Sequence, residues 1–215
     1  MRPYADLLFP ERGWTKSVFV PKDARGPRLI GAEPLEYQYI EQGLGRAVVD
    51  WTESHRLTAG HINFRDQQIN RDLATLGSKT GEWATLDLRD ASDRVSLKLV
   101  QYLWQDLPEM LDCLMAARSV GTLLPRGVGA IEFAKYAPMG SALCFPVLAL
   151  TVAAALVSAL RHDVNKPVPF FVYGDDVIVR TVDVEKAVQG LESAGLMVNT
   201  GKSCFKGNFR ESCGM

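Results

Sequence analysis

Residues 139–160 form a run of 22 positions without a charge, lying between Lys135 and Arg161. Such a stretch has two stable homes. One is the hydrocarbon of a membrane, which takes about 20 apolar residues; the other is a protein core, where a helix apolar all round is covered on every side. Pro146 and the small or polar residues Gly140, Ser141, Thr151 and Ser158 interrupt the run. No second run of this kind exists, and the rest of the chain is patterned as soluble, so the core is the expected home. With 215 residues, 47% apolar and 23% charged, the chain can bury such a helix within one domain, or one domain and part of another; disorder and a collagen-like fibre are excluded.

Net charge announces no partner, because 24 Lys and Arg stand against 25 Asp and Glu. A nucleic acid or a phosphate would have to be met by a local patch. Two such patches exist: Arg12, Lys16, Lys22, Arg25 and Arg28 in residues 12–28, and Lys202, Lys206 and Arg210 in residues 202–210. The four cysteines have no C-x-x-C spacing and the three histidines are scattered. Neither a zinc cage nor a disulfide framework is expected, which fits a reducing, cytoplasmic setting. No secretory signal is expected at the N-terminus.

Along the chain, residues 14–20 alternate as a strand, 21–27 read as a basic loop and 28–32 as a second strand. A helix is expected over 34–51, with Leu35, Tyr39, Leu44, Val48 and Val49 as its stripe, and a second over 65–76. Residues 83–88 read as a strand. A helix over 95–107 follows, capped by Ser92 or Asp93 and striped by Leu99, Leu103 and Leu107. Further helices are expected over 108–118 and from Pro138 to about His162, on either side of a hairpin over 122–136 centred on Pro125, Arg126 and Gly127. Two short strands over 170–172 and 177–179 and a helix over 184–194, stopped by Gly195, complete the reading. The class is α+β, helices backing a mainly antiparallel sheet.

The residues richest in chemistry are Asp175 and Asp176, adjacent on the turn between those two apolar strands. A solvated turn would suit Gly and Asp equally well. At the edge of a core, however, two adjacent carboxylates repel and invite a divalent cation. A second acidic cluster holds Asp87, Asp90 and Asp93. Asp87 ends a strand whose Leu86 and Leu88 point into the core. If that strand neighbours the later pair, three carboxylates converge, offering the hard oxygen ligands that Mg²⁺ or Mn²⁺ requires.

Taken in order, the motifs resemble the palm of an RNA-dependent RNA polymerase, specifically the replicase of the single-stranded RNA bacteriophages, the leviviral family. V-P-K-D-A-R-G-P-R-L-I-G-A-E-P over 20–34 is similar to that family's basic fingers motif, and D-L-R-D-A-S-D-R-V-S over 87–96 to its first catalytic palm motif. P-M-G-S at 138–141 resembles the start of its nucleotide-contacting loop and helix. Y-G-D-D at 173–176 and F-R-E-S-C-G at 209–214 follow in the family's order. Ser141, Cys144 and Leu148 depart from the Asn, Thr and acidic residue of the family pattern.

The resemblance implies a polymerase palm with part of the fingers and no thumb: partial fingers over 1–82, palm over 83–215 and a fingers insertion within 108–137. It implies two Mg²⁺ ions, replaceable by Mn²⁺, on Asp87 and Asp175 with Asp176 assisting. Lys22, Arg25 and Arg28 would hold the triphosphate. Asp93, helped by Gly140 and Ser141, would read the ribose 2′-hydroxyl, and Lys202 would be the general acid for pyrophosphate. Partners would be RNA template and product, ribonucleoside triphosphates and host translation factors, without a membrane, in the cytoplasm of a bacterial host. The competing readings are a reverse transcriptase, a palm polymerase of a capsidless RNA virus, and a non-catalytic membrane or RNA-binding module. Polar Asp93 and small Ala91 favour ribonucleotides over the first.

Overall fold

The computed structural model describes residues 13–23, 26–125, 128–163 and 165–214. Strands β1 (Trp14–Asp23) and β2 (Gly26–Ala32) precede helices over Leu35–Ser54 and Gln68–Thr80. Strand β3 (Trp83–Arg89) is followed by helices Ala91–Arg94, Leu97–Leu103 and Pro108–Ala117. Then come β4 (Gly121–Leu123), β5 (Ala130–Glu132), the helix Cys144–Ala159, β6 (Phe170–Tyr173), β7 (Asp176–Arg180), the helix Val184–Ser193 and β8 (Met197–Val198). The class is α+β, as expected. Two compact units divide the chain, each built from two stretches: one holds the described residues up to Arg46 with Val95–Phe145, the other Ala47–Arg94 with the described residues from Pro146 onward.

The first unit carries a sheet in the order β2-β1-β4-β5. β1 pairs antiparallel with β2, Phe19 facing Leu29, and parallel with β4, Trp14 facing Gly121. The strands run on through most of residues 21–27, where a loop was expected. β1 is paired with β4 only over Trp14–Lys16 and β2 lies at the sheet's edge, so Pro21 and Pro27 stand where no ladder partner needs their missing N–H. β4 and β5 form the expected hairpin; Arg126 and Gly127 lie outside the described residues. The helix after residue 95 starts later than expected. Its cap is Ser96, whose Oγ accepts from the Leu99 amide at 3.1 Å, while Ala91–Arg94 makes a separate short turn. Val100 is its buried side chain, and Leu103 and Leu107 are exposed.

In the second unit the sheet runs β6-β7-β3-β8, every pair antiparallel. Leu86, Leu88, Val177, Ile178 and Val179 are buried, as their alternation and apolar runs predict. Helix Gln68–Thr80 packs on β3 at Gly77, where a Cβ would lie 2.7 Å from the Trp83 carbonyl oxygen. The uncharged run folds as the helix Cys144–Ala159, burying Val147, Leu148, Val152 and Leu156. Residues 139–143 stay outside it. Among the described residues no helix is long and apolar enough to cross a membrane. Gly190 lets the helix Val184–Ser193 approach closely, since a Cβ there would sit 2.2 Å from that of Ala159. That helix ends at Gly195 with φ +84° and a Leu196 amide bonded back to the Leu191 carbonyl, the six-to-one bond of a Schellman motif.

Helix Leu35–Ser54 corrects the expected stripe. Leu35 and Tyr39 are 78% and 82% exposed, and the buried positions are Tyr37, Glu41, Gly45, Val48 and Thr52. Their spacing of four, four, three and four is helical. Three of the five are charged, polar or without a side chain, so a search for apolar periodicity finds a different face.

Candidate active site

Tyr173 and Asp176 face each other across the β6–β7 hairpin, leaving Gly174 and Asp175 as its two-residue turn. Gly174 has φ +64° and Asp175 is not in the positive region, the pattern of a type II′ turn, which wants glycine first. Asp175 is consequently exposed at the tip, while Asp176 is half-buried at the start of β7.

On the other side of β7, Asp176 is the direct cross-strand partner of Asp87 in β3. Opposed residues of an antiparallel pair point to the same face, with Cα atoms about 4.5–5.5 Å apart. The structure therefore brings Asp87 and Asp176 together from distant parts of the chain. Burial raises the Asp176 carboxyl above the ordinary carboxylate range; the Cys213 amide opposes this, and the charges of Asp175 and Asp87 add to it.

Each of these two carboxylates is held by its own donors. Asp87 Oδ2 accepts from Asn199 Nδ2 at 2.8 Å, and Lys202 Nζ stands 3.9 Å from Oδ1. The Asp87 backbone is fixed as well, its amide donating to Ser203 Oγ at 3.1 Å and its carbonyl accepting from the Asn199 amide at 2.8 Å. Asp176 Oδ1 accepts from Ser212 Oγ and the Cys213 amide, both at 3.4 Å. Asn70, fully buried, directs its Nδ2 toward the Asp176 carbonyl and Ser212 Oγ at 3.5 Å. Arg71 ties down the Cys213 carbonyl at 3.1 Å. Among the described residues no three His, Cys, Asp or Glu side chains are gathered into a ready metal site. The donor set nonetheless fits a hard divalent cation, since it consists of carboxylate oxygens whose mutual repulsion is already expressed at Asp176.

Arg210 does not supply phosphate-binding charge. It is 5% exposed and spends its guanidinium on the carbonyls of Trp83 (2.6 Å), Gly207 (2.9 Å) and Phe209 (2.7 Å). Asp93 is exposed beyond β3, its amide bonded to the Asp90 carbonyl.

The remaining expected site residues lie in the first unit. Lys22 and Arg28 are exposed on the β1–β2 arm, and Arg25 lies outside the described residues. Gly140 is exposed at φ +113°, and a Cβ there would lie 2.3 Å from the Gly31 carbonyl oxygen. The loop is pinned on that side by the Gly31 amide, which donates to the Met139 carbonyl at 2.8 Å. Ser141 is buried and donates to Glu41 Oε1 at 2.8 Å, while the Ala142 amide donates to Oε2 at 3.0 Å.

Glu41 is itself completely buried. Burial raises its carboxyl to about 7, nearby Glu33 adds to the rise, and the bonds from Ser141 and Ala142 restrain it. Glu33 is also raised, first by burial, against the opposing influence of Ser119 and Arg118. A carboxyl with a higher pKa folded than unfolded stabilises the fold below the unfolded value and loses that contribution as pH rises through the folded one. Unfolding free energy is thus expected to fall from pH 5 to pH 8, Glu41 contributing on the order of 2 kcal/mol. Denaturant titrations of the wild type and Glu41→Gln would show it as a shallower pH slope in the variant.

Residues 6–215 match the family described as RNA replicase, beta-chain. The chain belongs to that family. It is 35% identical over 199 residues to the RNA-directed RNA polymerase subunit beta of Enterobacteria phage SP, covering 93% of this chain and 33% of that protein. The subunit beta of Escherichia virus Qbeta is 33% identical over 204 residues, 94% of this chain and 33% of the relative. The segment thus spans about a third of the length of the curated relatives it matches. Among solved structures, telomerase from Candida albicans shares the fold with a TM-score of 0.65 at 13% identity, over 94% of this chain and 42% of that one. An insertion-loop deletion mutant of the RNA-dependent RNA polymerase of a human picorbirnavirus does so at 0.58 and 14%, over 89% and 41%. The polymerase palm is therefore the fold, and the family match separates the chain from the reverse-transcriptase and capsidless-virus readings.

Several residues of this replicase segment that hold the aspartates carry no sequence signal of that role. Asn70 and Asn199 read as ordinary helix and loop polar residues, and only the pairing of β3 with β7 and β8 reveals what they reach. Ser212 and Cys213 fall in the F-R-E-S-C-G motif, which marks them for notice without saying that they meet Asp176.

Proposed function

We propose that this segment carries the nucleotidyl-transfer centre of an RNA-directed RNA polymerase that replicates a viral positive-strand RNA genome. The observation that carries the reading is the cross-strand pairing of Asp87 with Asp176, beside the exposed turn carboxylate of Asp175. Two Mg²⁺ ions, or Mn²⁺ in their place, would supply activation of the attacking RNA 3′-hydroxyl and stabilisation of the leaving oxygen. Asp87 and Asp175 would be the principal ligands and Asp176 an assisting one.

Lys22, Arg25 and Arg28 would hold the triphosphate. Asp93 would read the 2′-hydroxyl, with Gly140 and Ser141 contributing through the shape of their loop, since the Ser141 hydroxyl is spent on Glu41. Lys202 would give its proton to the departing pyrophosphate, a role supported by its reach to the Asp87 carboxylate. RNA template and product, ribonucleoside triphosphates and, by family resemblance, host translation factors would be the partners, in the cytoplasm of a bacterial host. Residues 1–82 are read as partial fingers and 83–215 as palm. The grouping of Val95–Phe145 with the chain's first stretch supports a fingers insertion within 108–137, whereas Ala47–Arg94 groups with the aspartate-bearing sheet and favours a fingers boundary earlier than residue 82.

The test is Mn²⁺ binding, followed by electron paramagnetic resonance, to the full-length replicase chain containing this segment. Replacing both Asp87 and Asp175 by Asn is expected to weaken binding at least tenfold. Unchanged affinity and stoichiometry would overturn the metal assignment.

A further inference from the structure

The buried face of the helix Leu35–Ser54 presents a carboxylate to the loop over residues 138–143. Glu41 is fully buried and takes two hydrogen bonds from that loop, from the Ser141 hydroxyl at 2.8 Å and the Ala142 amide at 3.0 Å. Ser141 Oγ in turn accepts from the Leu143 amide at 3.2 Å. Three consecutive residues of the loop are thus organised around one side chain. Gly45, one helical turn further on, lets the same helix face approach the loop, since a Cβ there would lie 3.3 Å from the Ala142 carbonyl oxygen. A carboxylate is a costly tenant in a core unless its hydrogen bonds are worth more than its hydration. Here a second carboxylate, Glu33, lies close by with its Oε1 buried and unpartnered, while its Oε2 accepts from Ser119. An apolar or shorter side chain at position 41 would relieve that repulsion but release the loop.

We propose that Glu41 is a positioning residue for nucleotide selection, setting the backbone of the 138–143 loop through Ser141 and Ala142. This rests on the reading of that loop as a contact for the incoming nucleotide. Glu41 touches no substrate itself; its effect passes through the loop. A Gln at the position keeps an oxygen for the Ala142 amide and an NH₂ that can donate to Ser141 Oγ, so the geometry survives the loss of charge.

The experiment measures templated incorporation of ribo- and deoxyribonucleoside triphosphates by the full-length replicase chain carrying Glu41→Ala, Glu41→Gln or Ser141→Ala. Glu41→Ala is expected to raise the ribonucleotide KM about tenfold, with kcat changed less than about threefold, and to lower discrimination against deoxyribonucleotides about tenfold. Glu41→Gln should recover both to within about threefold. Unaltered KM and discrimination in Glu41→Ala would overturn the proposal, as would a Gln variant no better than Ala. If Glu41→Ala does not fold, Ser141→Ala decides: a KM rise of about threefold supports the proposal and none overturns it. A photoreactive nucleoside triphosphate separates the two readings. Failure to label residues 138–143 of the wild type would sink the nucleotide-loop reading, whereas labelling with unaffected variants would sink the Glu41 proposal alone.

Discussion

Asp175→Asn in the full-length replicase is expected to lower templated nucleotide incorporation by at least about a thousandfold while leaving the protein folded. Asn has nearly the shape of Asp but not its charge, and the tip of a two-residue turn accepts either. What disappears is one of the carboxylate ligands proposed for the divalent ions. Their stabilisation of transition-state charge amounts to several kcal/mol, and each 1.4 kcal/mol or so is tenfold in rate. Stability should move the other way or not at all. The charge of Asp175 raises the pKa of half-buried Asp176, so its removal relieves repulsion. A single-nucleotide extension assay and a thermal melt on one preparation check both halves. Incorporation within tenfold of wild type would refute the role of Asp175, and a large drop in melting temperature would show that the lost activity was lost structure.

Gly140→Ala carries the largest expected effect on stability. At φ +113° an L-residue is strained, by about 1–3 kcal/mol. The new methyl would also start 2.3 Å from the Gly31 carbonyl oxygen. That oxygen belongs to β2, which pairs with β1 from Lys16↔Ala32 outward, and a laddered strand cannot step aside as a side-chain tip can. Overpacking adds about 1–3 kcal/mol, so a total near 3–5 kcal/mol is expected. Gly60→Ala provides the comparison. Gly60 also has positive φ, +76°, but nothing lies within 4 Å of its added Cβ, and about 1–2 kcal/mol is expected there. Chemical denaturation of the two variants measures the difference. Equal losses would mean that the approach of the 138–143 loop to β2 is not tight.

The sequence disclosed strands and turns better than faces. The Y-G-D-D turn was legible because two apolar stretches flank Gly174 and Asp175, and the hairpin forms there. The rigid register that sets Asp87 against Asp176 was not, because non-local pairing leaves no trace in the spacing of either strand. Glu41 escaped notice for a different reason. A Glu among Tyr, Gln and Gly on a helix reads as solvent-facing, and the rule that apolar residues turn inward failed where Leu35 and Tyr39 point outward. Arg210 misled in the opposite direction, a cation in a basic cluster that is buried to cap backbone carbonyls.

The central strand of the aspartate-bearing sheet waits a long time for its neighbours. β3 lies between β7 and β8, and Asp176 is made about ninety residues after its partner Asp87. At roughly 5–20 residues per second, the ribosome leaves both edges of an apolar strand bare for roughly five to twenty seconds. Unpaired strand edges recruit other chains. Nascent replicase is therefore most prone to aggregate in this interval, and chaperone capture should concentrate on chains whose synthesis has passed β3 but not yet reached the Gly174 turn.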